Sequence, residues 1–141
     1  SLKIIHTADW HLGQTFFGYD RDEEHEAFLS WLIDIDATAT DVLLIAGDVF
    51  DVANPSAAAQ RRFFRFLREA NRHNPQLQIV IIAGNHDSAA RLEAPIPLLE
   101  ELNTSIVGVV PRTDLCKIDF DSLLIPLYNK EGKREAICLA V

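Results

Sequence analysis

Three apolar, β-branched runs punctuate the sequence, and each ends in a tight polar cluster. They are Lys3-Ile4-Ile5 near the start, DVLLIAG at 41–47 and QIVIIAG at 78–84. Runs that are apolar at consecutive rather than alternate positions suit strands buried on both faces, the condition of a parallel sheet covered by helices. The segments between them carry helical spacing. Phe28, Trp31, Leu32 and Ile35 recur at i, i+3, i+4 and i+7 and predict one apolar helix face, with Asp20 and Glu23 placed as a capping box. Asn54 and Pro55 suit the N-cap and first position of a second helix reaching about Arg72. A third helix is expected over 97–102, stopped by Asn103. Beyond 110 the pattern turns to short strands at CKIDF, SLLIP and EAICLA. Strands alternating with helices define an α/β class.

The polar clusters follow a rule. The first run leads into Asp9 and His11, the second into Gly47-Asp48, and the third into Gly84-Asn85-His86-Asp87. All three would lie at the carboxyl ends of parallel strands, the edge where open α/β sheets bind ligands. If the first strand stays extended, Asp9 and His11 point to the same side, because residues i and i+2 do. The glycines that precede Asp48 and Asn85 permit a tight turn that aims the next side chain over the sheet. Alone, the first cluster also fits a surface loop and the second a strand-closing turn, whereas Asn85-His86-Asp87 after a buried strand is less easily dismissed, because it brings several polar groups that need partners. Together they bring Asp9, His11, Asp48, Asn85 and His86 to one edge. This mixed oxygen and nitrogen set suits manganese, iron or zinc. Asp48, central in strand order, can bridge two ions, and two ions about 3.5–4 Å apart can clamp a phosphoryl group.

At 141 residues the chain fits one domain able to bury a core. A net charge of −8 argues against bulk electrostatic binding of nucleic acid, although carboxylates gathered around cations account for part of it. No apolar run approaches the length of a membrane span and no cleavable signal precedes the first strand. Cys116 and Cys138 are far apart, and read as free thiols they predict a reducing, cytoplasmic setting without membrane contact. Arg61, Arg65, Arg68 and Arg72 form one stripe of the second helix, expected as a solvated face. Phe63, Phe64, Phe66 and Leu67 make an apolar arc too broad for one core-facing stripe, which leaves two readings open in equal measure: part of it meets another subunit, or all of it packs in the core. Trp10 is expected to pack, His25 to sit on the surface and His6 to be structural.

The motifs TADWHLG, AGDVFD and AGNHDS resemble those of the calcineurin-like metallophosphoesterases, and among them the nuclease subunits of double-strand-break repair complexes. The EHEAFLSWL segment is similar as well, and the resemblance covers residues 3 to 110. It implies an α/β/β/α sandwich and a DNA nuclease that uses two divalent metal ions, manganese foremost. Such an enzyme acts as a 3′-to-5′ exonuclease on duplex ends and as an endonuclease on single strands and hairpins. It works as a homodimer with an ABC-type ATPase that carries long coiled coils. Asp9 and His11 would then ligate the first metal, Asp48 would bridge and Asn85 would ligate the second. His86 would stand beside the scissile phosphate with Asp87 orienting it, and Asp51 is a candidate support.

The family completes its metal site with later histidines, in a Gly-His and a His-x-His motif. This sequence has His6, His11, His25, His73 and His86, none after position 86. The expectation is therefore that residues 1–141 are the N-terminal part of a longer nuclease domain and are themselves inactive. Two other readings stay open: a phosphoesterase for small molecules or phosphoproteins, and a non-catalytic assembly module.

Overall fold

A computed structural model describes residues 1–36, 40–52, 54–82, 104–107 and 123–139. Four strands, β1 (Ile4–Ala8), β4 (Val42–Ala46), β5 (Gln78–Ile82) and β6 (Thr104–Val107), form a parallel sheet in the order β1-β4-β5-β6. Between the first two of these lie the short antiparallel pair β2 (Thr15–Phe16) and β3 (Tyr19–Asp20) and the helix α1 (Asp22–Asp36). The helix α2 (Ala57–His73) joins β4 to β5, and the antiparallel pair β7 (Leu124–Tyr128) and β8 (Arg134–Leu139) ends the described chain. The consecutive apolar residues at 42–46 and 79–82 lie in the two central strands, as their composition requires. The predicted helix at 97–102 and the strand CKIDF lie outside the described residues.

The sheet has a different cover on each face. One face packs under α1 and α2, with Leu43, Ile45, Ile79 and Ile81 against Leu29, Leu32, Phe63, Phe66 and Leu67. On the other, Val42 and Val80 pack against Ile125 and Leu127 of β7, with Cys138 of β8 at the margin. The fold is thus α/β, layered as helices, parallel sheet and antiparallel strand pair. The strand pair is held from the amino-terminal edge of the sheet. Gln78 donates its amide to the Pro126 carbonyl (2.8 Å) and accepts the Tyr128 N–H (3.2 Å). Asp41, buried, accepts the backbone N–H groups of Lys3 (2.8 Å) and Lys130 (3.0 Å). Burial raises the pKa of the half-buried Cys138 thiol, so it behaves as a packing residue.

Two helix details depart from the sequence expectation. The N-cap of α2 is Ser56 and not Asn54: its hydroxyl accepts the Ala59 N–H at 3.1 Å, the third donor of the open first turn. In α1 the buried stripe is His25, Leu29 and Leu32, whereas Trp31 and Ile35 are 55% and 40% exposed. The rotation is set by Arg62 of α2, which pairs with Asp22 and Glu26, one turn apart on α1. That ion-pair face turns His25 inward, so His25 is a buried residue and not a surface one. Phe63, Phe66 and Leu67 are all buried within the chain and Phe64 packs at the core margin, so the arc is mostly core, the second of the two readings. Both helices and the sheet meet this arc, which accounts for its width. Arg61, Arg65, Arg68 and Arg72 are exposed, as expected of the solvated face.

Candidate metal centre

β1 ends at Ala8 and β4 at Ala46, which are register partners in the sheet. Beyond them the two segments remain bonded. The Asp9 N–H donates to the Gly47 carbonyl (3.2 Å), His11 N–H to the Asp48 carbonyl (2.9 Å) and Leu12 N–H to the Val49 carbonyl (2.9 Å). The Asp51 N–H returns a bond to the Leu12 carbonyl (3.1 Å), and Gly47 N–H reaches the last carbonyl of β5, Ile82, at 2.7 Å. The loops after β1 and β4 therefore behave as one unit fixed to the sheet edge.

Side chains alternate along the loop after β1, and Val49 and Phe50 anchor the loop after β4. Trp10, Leu12, Val49 and Phe50 are buried. Trp10 meets Phe28, Phe63 and Phe66 edge to face at centroid distances of 5.6, 6.1 and 5.2 Å, and its indole N–H donates to the Thr7 hydroxyl at 2.9 Å. Its role is packing, as expected. With Trp10 and Leu12 anchored below, Asp9 and His11 are left above. One donor atom each from Asp9, His11 and Asp48 lies within 4.8 Å of the others, with Asp9 exposed and the other two half-buried.

The backbone that achieves this is not extended. The φ angle is +54° at Asp9, +50° at His11, +74° at Gly47 and +44° at Asp48. The convergence predicted from strand alternation arises instead from left-handed kinks in two facing loops. Each such residue other than glycine costs about 1–3 kcal/mol, and Asp and His tolerate the conformation better than most. Three strained donors in one cluster are held by the hydrogen bonds between the loops and by the buried residues beneath them. The two carboxylates repel each other at this separation, and a divalent cation among them reverses that term. Two carboxylates and an imidazole fit a borderline transition metal.

His11 Nδ1 lies 3.3 Å from Asp51 Oδ1, so Asp51 stands where it can orient the imidazole. Sequence spacing gave Asp51 no partner, because the contact crosses between two loops. His6 is exposed on β1 and stands outside the cluster. Asn85, His86 and Asp87, the remaining predicted site residues, lie outside the described residues. So does Cys116.

Two loops that project oxygen and nitrogen donors from the carboxyl ends of neighbouring parallel strands match a known family over residues 2–134, the calcineurin-like phosphoesterases, and the chain belongs to it. The family uses divalent metals, and Asp9, His11 and Asp48 are a ligand group of the right kind. Within the family, the chain is similar to the SbcD subunit of the nuclease SbcCD. It is 48% identical to that of Rhodobacter capsulatus over 141 residues, 99% of this chain and 35% of the relative. It is 38% identical to that of Escherichia coli K12 over 133 residues, 84% of this chain and 33% of the relative. The Bacillus subtilis protein is 38% identical over 122 residues, 86% of this chain and 31% of the relative. The chain thus spans about a third of the length of the curated relatives it matches. No helix among the described residues is long and apolar enough to cross a membrane.

Proposed function

We propose that this chain is the N-terminal part of the metallophosphoesterase domain of an SbcD-type DNA nuclease. The observation that carries the reading is the convergence of Asp9, His11 and Asp48 in a chain 48% identical to a nuclease subunit over 141 residues. Asp9 and His11 would hold one divalent ion, Asp48 would be shared, and Asn85 would serve the second. Ions bound there supply Lewis-acid polarisation of the phosphoryl oxygens and a nucleophile available at neutral pH. Manganese is the metal that the family resemblance favours.

The chain's own residues have defined tasks in that reading. The kinked loops fix the donors before substrate arrives, so little reorganisation accompanies the reaction. Asp51 holds the His11 ring. His86 would act on the developing charge at the scissile phosphate, with Asp87 to orient it. The phosphodiester is cleaved with the 3′ oxygen as leaving group, on duplex ends and on single strands or hairpins. The setting is cytoplasmic DNA repair, recombination and replication beside an SbcC-type ABC ATPase. A homodimer belongs to the same reading, and the exposed Trp31 and Ile35 offer apolar surface in place of the buried α2 rings.

The test is manganese-dependent nucleotide release from linear duplex DNA by the full-length protein and by its Asp48→Ala variant. Release that depends on the metal and is abolished by Asp48→Ala supports the reading. Release unaffected by the substitution would sink it.

A further inference from the structure

Between the candidate metal centre and α1 stands a small hairpin whose tip is aromatic. Phe16, Phe17 and Tyr19 are 64%, 87% and 78% exposed. Phe17 and Gly18 form the two-residue loop, with φ of +49° and +81°, the signature of a type I′ turn. That turn favours Asn-Gly, and a bulky ring at its first position is strained. Folding gains little from this ring, since it buries almost no surface. A strained and exposed aromatic residue is a local choice that works against the fold, and such choices concentrate where binding needs them.

The hairpin is fixed relative to the metal cluster. The Gln14 N–H donates to the His11 carbonyl at 3.0 Å, and Arg21 Nη1 donates to Gln14 Oε1 at 3.0 Å, closing the stem at its base. From His11 to Phe16 the chain can span at most about 17 Å. The rings of Phe16 and Phe17 stand edge to face, 4.5 Å apart at 75°, so the tip presents ring surface in two directions.

We propose that this tip is a stacking platform for unpaired nucleobases of the strand whose phosphate occupies the metal centre. The inference rests on the nuclease reading above and adds where the bases are held. A strand rises about 3.4 Å per nucleotide, so bases a few positions from the scissile phosphate fall within reach of the rings. Every base has an apolar π-face, and stacking tolerates any sequence. A folded protein partner is a poorer occupant, because a stable interface needs about 800 Å² from each side and a four-residue tip offers far less.

The experiment uses the full-length protein with Phe17→Asn and Tyr19→Ala variants. Binding of a single-stranded oligonucleotide carrying 2-aminopurine is followed by fluorescence quenching in EDTA. Hydrolysis with manganese is followed on the same oligonucleotide and on bis(p-nitrophenyl) phosphate, a diester with no base. Each variant is expected to bind the oligonucleotide about tenfold more weakly. Hydrolysis of the small diester is expected to stay within about twofold, and Phe17→Asn to melt at a higher temperature than wild type. Oligonucleotide binding equal to wild type in both variants would overturn the proposal, even if binding of an ATPase subunit were lost. Equal loss on both diesters would also overturn it, since that is damage to the site. A wild type that cleaves neither diester, yet loses quenching in the variants, would remove the nuclease reading and leave the platform standing.

Discussion

The carbonyl of Asp48 accepts the backbone N–H of His11 at 2.9 Å, so two residues whose side chains share the metal-ligating cluster are also joined through their main chains. One residue thereby fixes the other without any ion present. The cluster's geometry belongs to the loops, and the donors' contribution to affinity is separable from it.

Substitutions should divide accordingly. Asp51→Asn, which loosens only the hold on the His11 ring, is expected to weaken manganese binding by about 10–100-fold. Asp48→Ala removes a donor and should weaken it further. Calorimetric titration of both variants orders them, and an Asp51→Asn protein weaker than Asp48→Ala would contradict the assigned roles.

Stoichiometry provides a second check. On the proposed assignment, one ion would take Asp9, His11 and Asp48 from residues 1–141, and the other would take Asp48 and Asn85. Sites of this kind draw affinity from imidazole. The 141-residue chain should therefore bind one manganese ion tightly and a second weakly, and release nucleotides from DNA far more slowly than the full-length protein. Two equally tight sites in the short chain would count against the ligand assignment.

Trp10 joins core and site. Its removal as Trp10→Ala should cost about 3–5 kcal/mol of stability, the range for a large buried aromatic. The same change should weaken metal binding, because Trp10 anchors the loop that carries Asp9 and His11. Urea unfolding and metal titration read the two effects. A destabilised protein with unchanged metal affinity would show that the loop bonds alone hold the donors.

His25 supplies a pH dependence. Its pKa lies below the usual 6.5 through burial, then the nearby Arg21 and Arg62, against the opposing pull of Asp22 and Glu24. Its Nδ1 has no hydrogen-bond partner among the described residues. The unfolded chain takes up this proton at a higher pH than the folded one, so the imidazole leaves stability unaffected well above pH 6.5. Stability then falls as the pH drops from there toward the folded-state value. His25→Gln should lose less stability than wild type between about pH 8 and pH 5, measured as urea midpoints. Equal losses would show that His25 is free to protonate in the folded protein.

The sequence by itself determined the two central strands, because consecutive apolar residues at 42–46 and 79–82 have no comfortable place except between two packed layers. It also determined that Asp9, His11 and Asp48 would gather, since the carboxyl ends of parallel strands share one edge whatever the loop details. The tertiary structure decided the rest. Helical spacing showed that α1 has an apolar face, but the bonds from Arg62 to Asp22 and Glu26 set its rotation, burying His25 and exposing Trp31. Spacing likewise placed Asp9 and His11 on one side through an extended backbone that the chain does not adopt. The left-handed kinks that do bring them to Asp48 depend on hydrogen bonds to a loop about 40 residues away, as does the contact of His11 with Asp51. Local preference is a matter of neighbouring residues. Rotation, kinks and cross-loop contacts are settled by partners distant in sequence, which exist only once the sheet has formed.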